Sequence, residues 1–259
     1  MPRLDLVRER LKAHLDAGGV VLGEGAGVHG ALTGLNATMS PMSEGATVAM
    51  ATGMALAGRA VVVELLDPQA LVRAGDALAD LADLAGRSEG AYRPTVVIRV
   101  PGGTEVRHVR IPVYIAGRGS DVAEQLSAAL VAGGVTVLVD DSHQAAPGDL
   151  APADLGVPVV LQEGTAVTVL ASGADIVSAL AGAQLAAAEG VSCLVVEVRG
   201  PGAIAGPVTR TGRLVVLGDI AVLPALNSAF WSLEAPWESL PRGASASQVR
   251  DAVHTVLGA

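Results

Sequence analysis

Residues 60–100 read AVVVELLDPQALVRAGDALADLADLAGRSEGAYRPTVVIRV. Ala60-Val-Val-Val-Glu64 is a continuous apolar run bounded by turn residues, which suits a strand buried on both faces of a parallel sheet. Residues 68–86, rich in Ala, Leu and Asp, predict a helix. Thr95 to Val100 is the next strand, and Pro101-Gly-Gly103 ends it. A strand, a helix and a second strand in that order predict a parallel β-α-β unit.

The same alternation extends outward. Upstream, residues 3–16 predict a helix with Leu4, Leu11 and Leu15 on one face, stopped by Gly18-Gly19. Val20 to Leu22 is a short strand followed by the glycine-spaced loop GEGAGVHG, residues 23–30. Ser43-Glu44 opens a helix from Ala46 to Leu56 that Gly58 closes. Downstream, Val113–Ala116 is a strand, Ser120–Ala132 a helix and Thr136–Val139 a strand. After the aperiodic, Pro/Ala/Asp-rich stretch around SHQAAPGDLAPADLGVP a second set follows, with strands at 165–172, 192–198 and 213–217 and helices at 174–189 and 245–257. The fold class is α/β: two open α/β domains, residues 1–145 and 160–259, joined by a linker at 146–159.

Composition bounds the function. The chain has 259 residues, 51% of them hydrophobic, which is ample for a sizeable core. Five aromatic residues and a net charge of -9 argue against nucleic-acid recognition, which uses stacking rings and basic faces. The single cysteine, Cys193, excludes an internal disulfide and reads as a buried, inert thiol. No apolar stretch approaches the roughly 20 residues of a bilayer span, so a soluble, cytoplasmic protein is expected.

Several segments carry chemistry and a plainer reading side by side. GEGAGVHG follows a strand but lacks the GK[ST] ending of a P-loop, so a tight turn competes with ligand contact. Glu44 begins a helix, where the dipole favours a carboxylate and Ser43 can act as N-cap; capping alone accounts for both, and so does a functional carboxylate on a rigid element. The five histidines, at 14, 29, 108, 143 and 254, show no metal-ligand spacing. His29 lies in the glycine loop and His108 in VRHVR. Asp140-Asp141 follows a strand end, where ligands bind in open α/β folds, and also reads as a pair of solvated turn acids. Phe230, Trp231 and Trp237 suit either an interface anchor or a local core plug.

Four motifs in order resemble one family. They are Leu22-Gly-Glu-Gly-Ala-Gly-Val-His-Gly30 with Gly34-Leu35; Met42-Ser-Glu-Gly45 through Ala51-Thr-Gly53 and Ala57-Gly58 to Val61-Val-Val-Glu64; Arg99-Val-Pro-Gly-Gly103; and Leu161-Gln-Glu-Gly164 through Arg199 to Thr211-Gly-Arg-Leu-Val-Val216. They are similar to the "GEDVG…GG", "P(I/L)SE…G…A.G.A..G..PV.E", "R.P.G" and C-terminal-domain patterns of the β subunit of thiamine-diphosphate-dependent 2-oxoacid dehydrogenases (the E1 component), within the transketolase superfamily.

The resemblance implies a pyrimidine-binding domain followed by a transketolase C-terminal domain. It implies a β-type subunit acting on a 2-oxoacid or ketose donor by decarboxylation and acyl or ketol transfer. Glu44 matches the glutamate that hydrogen-bonds N1′ of the cofactor aminopyrimidine, in a dry pocket, and is the expected catalytic residue. Glu24, His29, Leu65 and Leu66 are the further expected cofactor contacts, the two leucines standing where the family has a ring. The "GDG…N" motif for the diphosphate and Mg²⁺ is missing, since Gly75-Asp76 and Gly218-Asp219 lack its downstream Asn. Thiamine diphosphate with Mg²⁺ is therefore expected to be held by an α-type partner, typically in an α2β2 assembly. The chain also lacks the family's longer histidine-bearing loop after Gly103. The alternative is a non-catalytic structural or regulatory homologue in such an assembly.

Overall fold

The computed structural model describes residues 3–27, 30–103, 106, 109–117, 121–141, 154–201, 205–218 and 236–258. The chain divides into two compact units, Met1–Asp141 and Ser142–Ala259.

In the first unit the strands are β1 (Val20–Gly23), β2 (Thr38–Met39), β3 (Val61–Glu64), β4 (Thr95–Pro101), β5 (Val113–Ala116) and β6 (Gly134–Asp140). They form one parallel sheet in the order β2-β1-β3-β4-β6-β5. Val61–Val63 and Val96–Ile98 are fully buried, as a parallel sheet covered on both faces requires. Each such valine contributes about 1.5–3 kcal/mol through burial.

The helices are α1 (Arg3–Asp16), α2 (Glu44–Leu56), α3 (Ala70–Arg73), α4 (Gly75–Arg87) and α5 (Asp121–Ala132). In α1 the buried anchors are Val7 and Leu11, one turn apart; Leu4, expected on the buried face, sits in the first turn and is 41% exposed. The single helix expected over 68–86 is two. Ala74 breaks it with φ -90° and ψ 4°, leaving a one-turn α3 before the amphipathic α4, which buries Leu78 and Leu81. α2 buries Thr47, Val48, Ala51 and Ala55, the i, i+1, i+4, i+8 stripe of a helix lying on a sheet.

The second unit carries β7 (Val159–Gln162), β8 (Val167–Ala171), β9 (Cys193–Glu197), β10 (Leu214–Leu217) and β11 (Trp237–Leu240). The order is β11-β10-β8-β9-β7, with β7 alone antiparallel to its neighbour. β7 opens at Val159, the residue where the linker was expected to end. Its helices are α6 (Asp175–Ala188), α7 (Ala205–Thr211) and α8 (Ala246–Gly258). α6 and α8 share a core with β8 and β9 that contains Ile176, Ala179, Ala183, Cys193, Val249 and Val253. Gly182 permits that approach, because a Cβ there would stand 2.5 Å from Cβ of Val249. Among the described residues no helix is long and apolar enough to cross a membrane.

Candidate active site

The strand order of the first unit reverses between β1 and β3: the chain goes from β1 out to β2 and returns to β3 on the other side. Ligands in open α/β sheets bind beyond the carboxyl ends of the strands at such a switch point. Gly23 and Glu64, the last residues of β1 and β3, are register partners. Glu24 and Leu65 therefore leave the sheet side by side. The chain after β2 comes back to the same edge, where the Ser40 N–H donates to the Gly23 carbonyl at 3.1 Å, and α2 then begins at Glu44. Four of the expected site residues, Glu24, Glu44, Leu65 and Leu66, thus belong to one edge of one sheet. His29 lies outside the described residues.

Glu44 is not consumed by capping. The Ser43 Oγ accepts the Ala46 N–H at 3.4 Å and is the N-cap. The Glu44 carboxylate instead meets Arg73, the last residue of α3. Arg73 Nε donates to Glu44 Oε1 at 2.7 Å, and Nη2 donates to the same oxygen. Nη2 also pairs with Asp67 Oδ2 at 2.9 Å. Asp67 is itself fixed, its Oδ1 accepting the Gln69 N–H at 2.7 Å. The Arg73 guanidinium, with a smaller contribution from the backbone, holds the Glu44 carboxyl below the usual glutamate range. The Gln69 N–H, then Arg73, lower Asp67.

The dry pocket expected around Glu44 is not supplied by this chain. Its side chain is 14% exposed under Arg73, while Pro41, Met42, Ser43 and Ala46 around it are exposed. Glu24 is half-buried. Leu65 is buried, its N–H donating to the Arg99 carbonyl at 3.0 Å, and Leu66 is 45% exposed. A cavity of about 250 Å³ lies elsewhere in the unit, lined by α3, α4, Val109 and Arg110, and none of the expected site residues lines it.

Below the edge lies a buried charge cluster. Arg99 Nη1 donates to Glu64 Oε2 at 2.6 Å and Nη2 to Asp140 Oδ2 at 3.1 Å, joining the carboxyl ends of β3, β4 and β6. Burial pushes the Glu64 carboxyl up against the pull of Arg99. Asp140 and Asp141 are 2% and 3% exposed, so the reading of solvated turn acids is corrected. Asp140 faces Arg99, and the chain at Asp141 packs against Gly102, where a Cβ would stand 2.9 Å from the Asp141 Cα. The glycine of the Arg99-Val-Pro-Gly motif is thus a packing requirement.

The remaining sequence candidates separate. His14 Nε2 lies 3.1 Å from the Ala60 carbonyl oxygen, and His254 is 2.6 Å from Glu189, both structural placements. His108, His143, Phe230 and Trp231 lie outside the described residues. Trp237 opens β11 and is 46% exposed, which does not fit a core plug. Cys193 is fully buried and its thiol is pushed up to about 11 by burial, as an inert thiol should be. Among the described residues no group of three or more His, Cys, Asp or Glu side chains could hold a metal ion.

Comparison with known proteins adds two findings. The chain is 28% identical over 232 residues to the pyruvate dehydrogenase E1 component subunit beta of Leifsonia xyli subsp. xyli (strain CTCB07), covering 76% of this chain and 69% of that protein. A solved split-gene transketolase, described as an inactive beta4 tetramer, superposes with a TM-score of 0.75 at 16% identity, covering 100% of this chain and 98% of the other. The chain is thus similar in sequence to an E1 beta subunit and in fold to a split-gene transketolase. No family model matches it. Its α/β architecture, a parallel six-stranded sheet and a second mixed sheet, is the fold of that neighbour.

Sequence reasoning missed Arg73 and Asp67. The available signal was charge: Arg73 is the one basic residue between Arg59 and Arg87, in a stretch otherwise acidic. What places it near Glu44 is the break at Ala74, which a continuous helix over 68–86 would not allow for.

Proposed function

We propose that this chain is the β-type subunit of a heteromeric thiamine-diphosphate enzyme that acts on a 2-oxoacid or ketose donor. The observation that carries the reading is the convergence of Glu24, Glu44 and Leu65 on the carboxyl edge beside the β1/β3 switch point. The residues present suit the pyrimidine half of the cofactor. Glu44 offers a carboxylate beyond what helix capping uses, and Leu66 offers exposed apolar surface backed by the buried Leu65. They do not suit the other half. Gly75-Asp76 opens α4 and, like Gly218-Asp219, lacks the downstream Asn of the GDG…N motif, so the diphosphate and Mg²⁺ are assigned to an α-type partner.

When bound, the cofactor supplies the carbon nucleophile that adds to the donor's carbonyl. Glu44 would hold the aminopyrimidine at N1′: that nitrogen would take up a proton from solvent and the Glu44 carboxylate would accept the resulting N–H, which favours the imino form. An ionised carboxylate is what that hydrogen bond requires, and Arg73 keeps Glu44 ionised. Leu66 would exclude water on one side, and the partner would close the exposed rim. Replacing Glu44 by Gln in the assembled complex abolishes turnover on this reading; undiminished turnover in Glu44→Gln overturns it.

A second reading is a non-catalytic role in such an assembly. The observation that favours it is the solved neighbour, which is inactive as a tetramer of β chains. Turnover by the assembled complex separates the two.

A further inference from the structure

We propose that Arg73 is the positioning residue of Glu44: it engages one carboxylate oxygen, Oε1, and leaves the other outside its grip to accept the aminopyrimidine N1′–H. The inference rests on the reading above and deepens it.

Three observations carry it. Arg73 approaches Glu44 end-on, with Nε and Nη2 converging on Oε1, whereas a closed fork-to-fork pair would occupy both oxygens. Arg73 is held from the far side by Asp67, which is anchored by the Gln69 N–H, so the guanidinium is fixed by a second carboxylate and not by Glu44 alone. Among the described residues the charged groups that act on Glu44 are Arg73 and Asp67; two carboxylates share one guanidinium, a net negative charge beside the switch point. A protonated ring nitrogen complements that charge. A guanidinium that neutralised the site outright would repel it.

The arrangement also replaces something the chain lacks. Carboxylates that bind ring nitrogens are commonly oriented by a packed pocket. The rim around Glu44 is exposed, so its orientation comes from specific partners, Arg73 first and its own backbone N–H second. A one-turn helix that ends at Arg73, directly before the break at Ala74, is the backbone device that delivers it.

The test has two parts. In the free chain, carboxyl ¹³C resonances of labelled glutamate report the Glu44 titration. Wild type titrates below the ordinary glutamate value, Arg73→Gln moves the midpoint up toward it, and Arg73→Lys, which keeps the charge but not the planar fork, falls between. In the complex co-expressed with its α-type subunit, calorimetry with thiamine diphosphate and Mg²⁺ is run on the same variants. Arg73→Gln weakens binding about tenfold, the scale of one charge-assisted hydrogen bond. Its acid limb moves to higher pH, because Glu44 then protonates earlier.

An unchanged Glu44 midpoint, or equal affinity of Arg73→Gln and wild type, overturns the proposal. If Arg73→Gln does not fold, Arg73→Lys carries the test, and affinity equal to wild type overturns it. Glu44→Gln in the same complex keeps the two levels apart. Wild-type affinity in Glu44→Gln defeats the functional reading itself, whereas weakened Glu44→Gln beside normal Arg73→Gln defeats only the role of Arg73.

Discussion

Replacing Arg99 by Met removes the cation that joins three strand ends. Arg99 is 8% exposed, and its partners Glu64 and Asp140 are 1% and 2% exposed. Without the guanidinium two carboxylates remain buried, and breaking a buried pair in this way costs about 3–5 kcal/mol. That is a large part of the roughly 5–15 kcal/mol that stabilises a domain. With a urea m-value of about 2 kcal/mol/M, the midpoint followed by far-UV circular dichroism falls by about 1.5–2.5 M. The loss depends on pH with a definite sign. In the variant the buried Glu64 carboxyl, already pushed up by burial and now without the pull of Arg99, has a folded-state pKa above its unfolded one, so its protonated form fits the fold. Stability is recovered below the unfolded glutamate value, at about pH 4, and is lost as pH rises through the folded one. A variant with Arg99→Met, Glu64→Leu and Asp140→Leu together restores much of the midpoint, since an apolar cluster of similar volume needs no counter-charge. A shift of less than about 0.5 M in Arg99→Met, or one that does not change between pH 5 and 8, refutes the reasoning.

Other consequences are simpler to check. Gly182→Ala drives a methyl group against Val249 and lowers stability by about 1–3 kcal/mol in a thermal melt, and adding Val249→Ala restores part of the loss. Cys193 stays unreactive toward an aromatic disulfide reagent at pH 8 in the native protein and reacts fully in denaturant, because burial both hides the thiol and pushes it up to about 11. Ser43→Ala removes the N-cap of α2 and costs about 1 kcal/mol, and it loosens the start of the helix that carries Glu44.

Much of the architecture was legible because parallel strands buried on both faces leave a strong mark. Val61–Val63, Val96–Ile98 and Cys193–Val196 are continuous apolar runs, and each lies in an interior strand. The missed strands of the second unit are its two edges. Val159–Gln162 and Trp237–Leu240 are short and partly exposed, so neither periodicity nor hydrophobicity marks them. Among the candidate residues the position of Glu44 at a helix start, after Ser43, was legible. Arg73 was not, because its approach depends on a break at Ala74 that helix-forming alanines conceal. Asp140 and Asp141 read as turn acids because nothing local reveals burial; their surroundings come from Arg99 and Gly102 on the neighbouring strand and its turn.

The central claim is a cofactor site that this chain completes only with a partner. Calorimetric titration of thiamine diphosphate with Mg²⁺ into the co-expressed complex, with each chain alone as control, tests it most directly. The account predicts saturable binding by the complex and none by this chain alone. Binding by the isolated chain at equal affinity, or a formed complex that binds no cofactor, contradicts it.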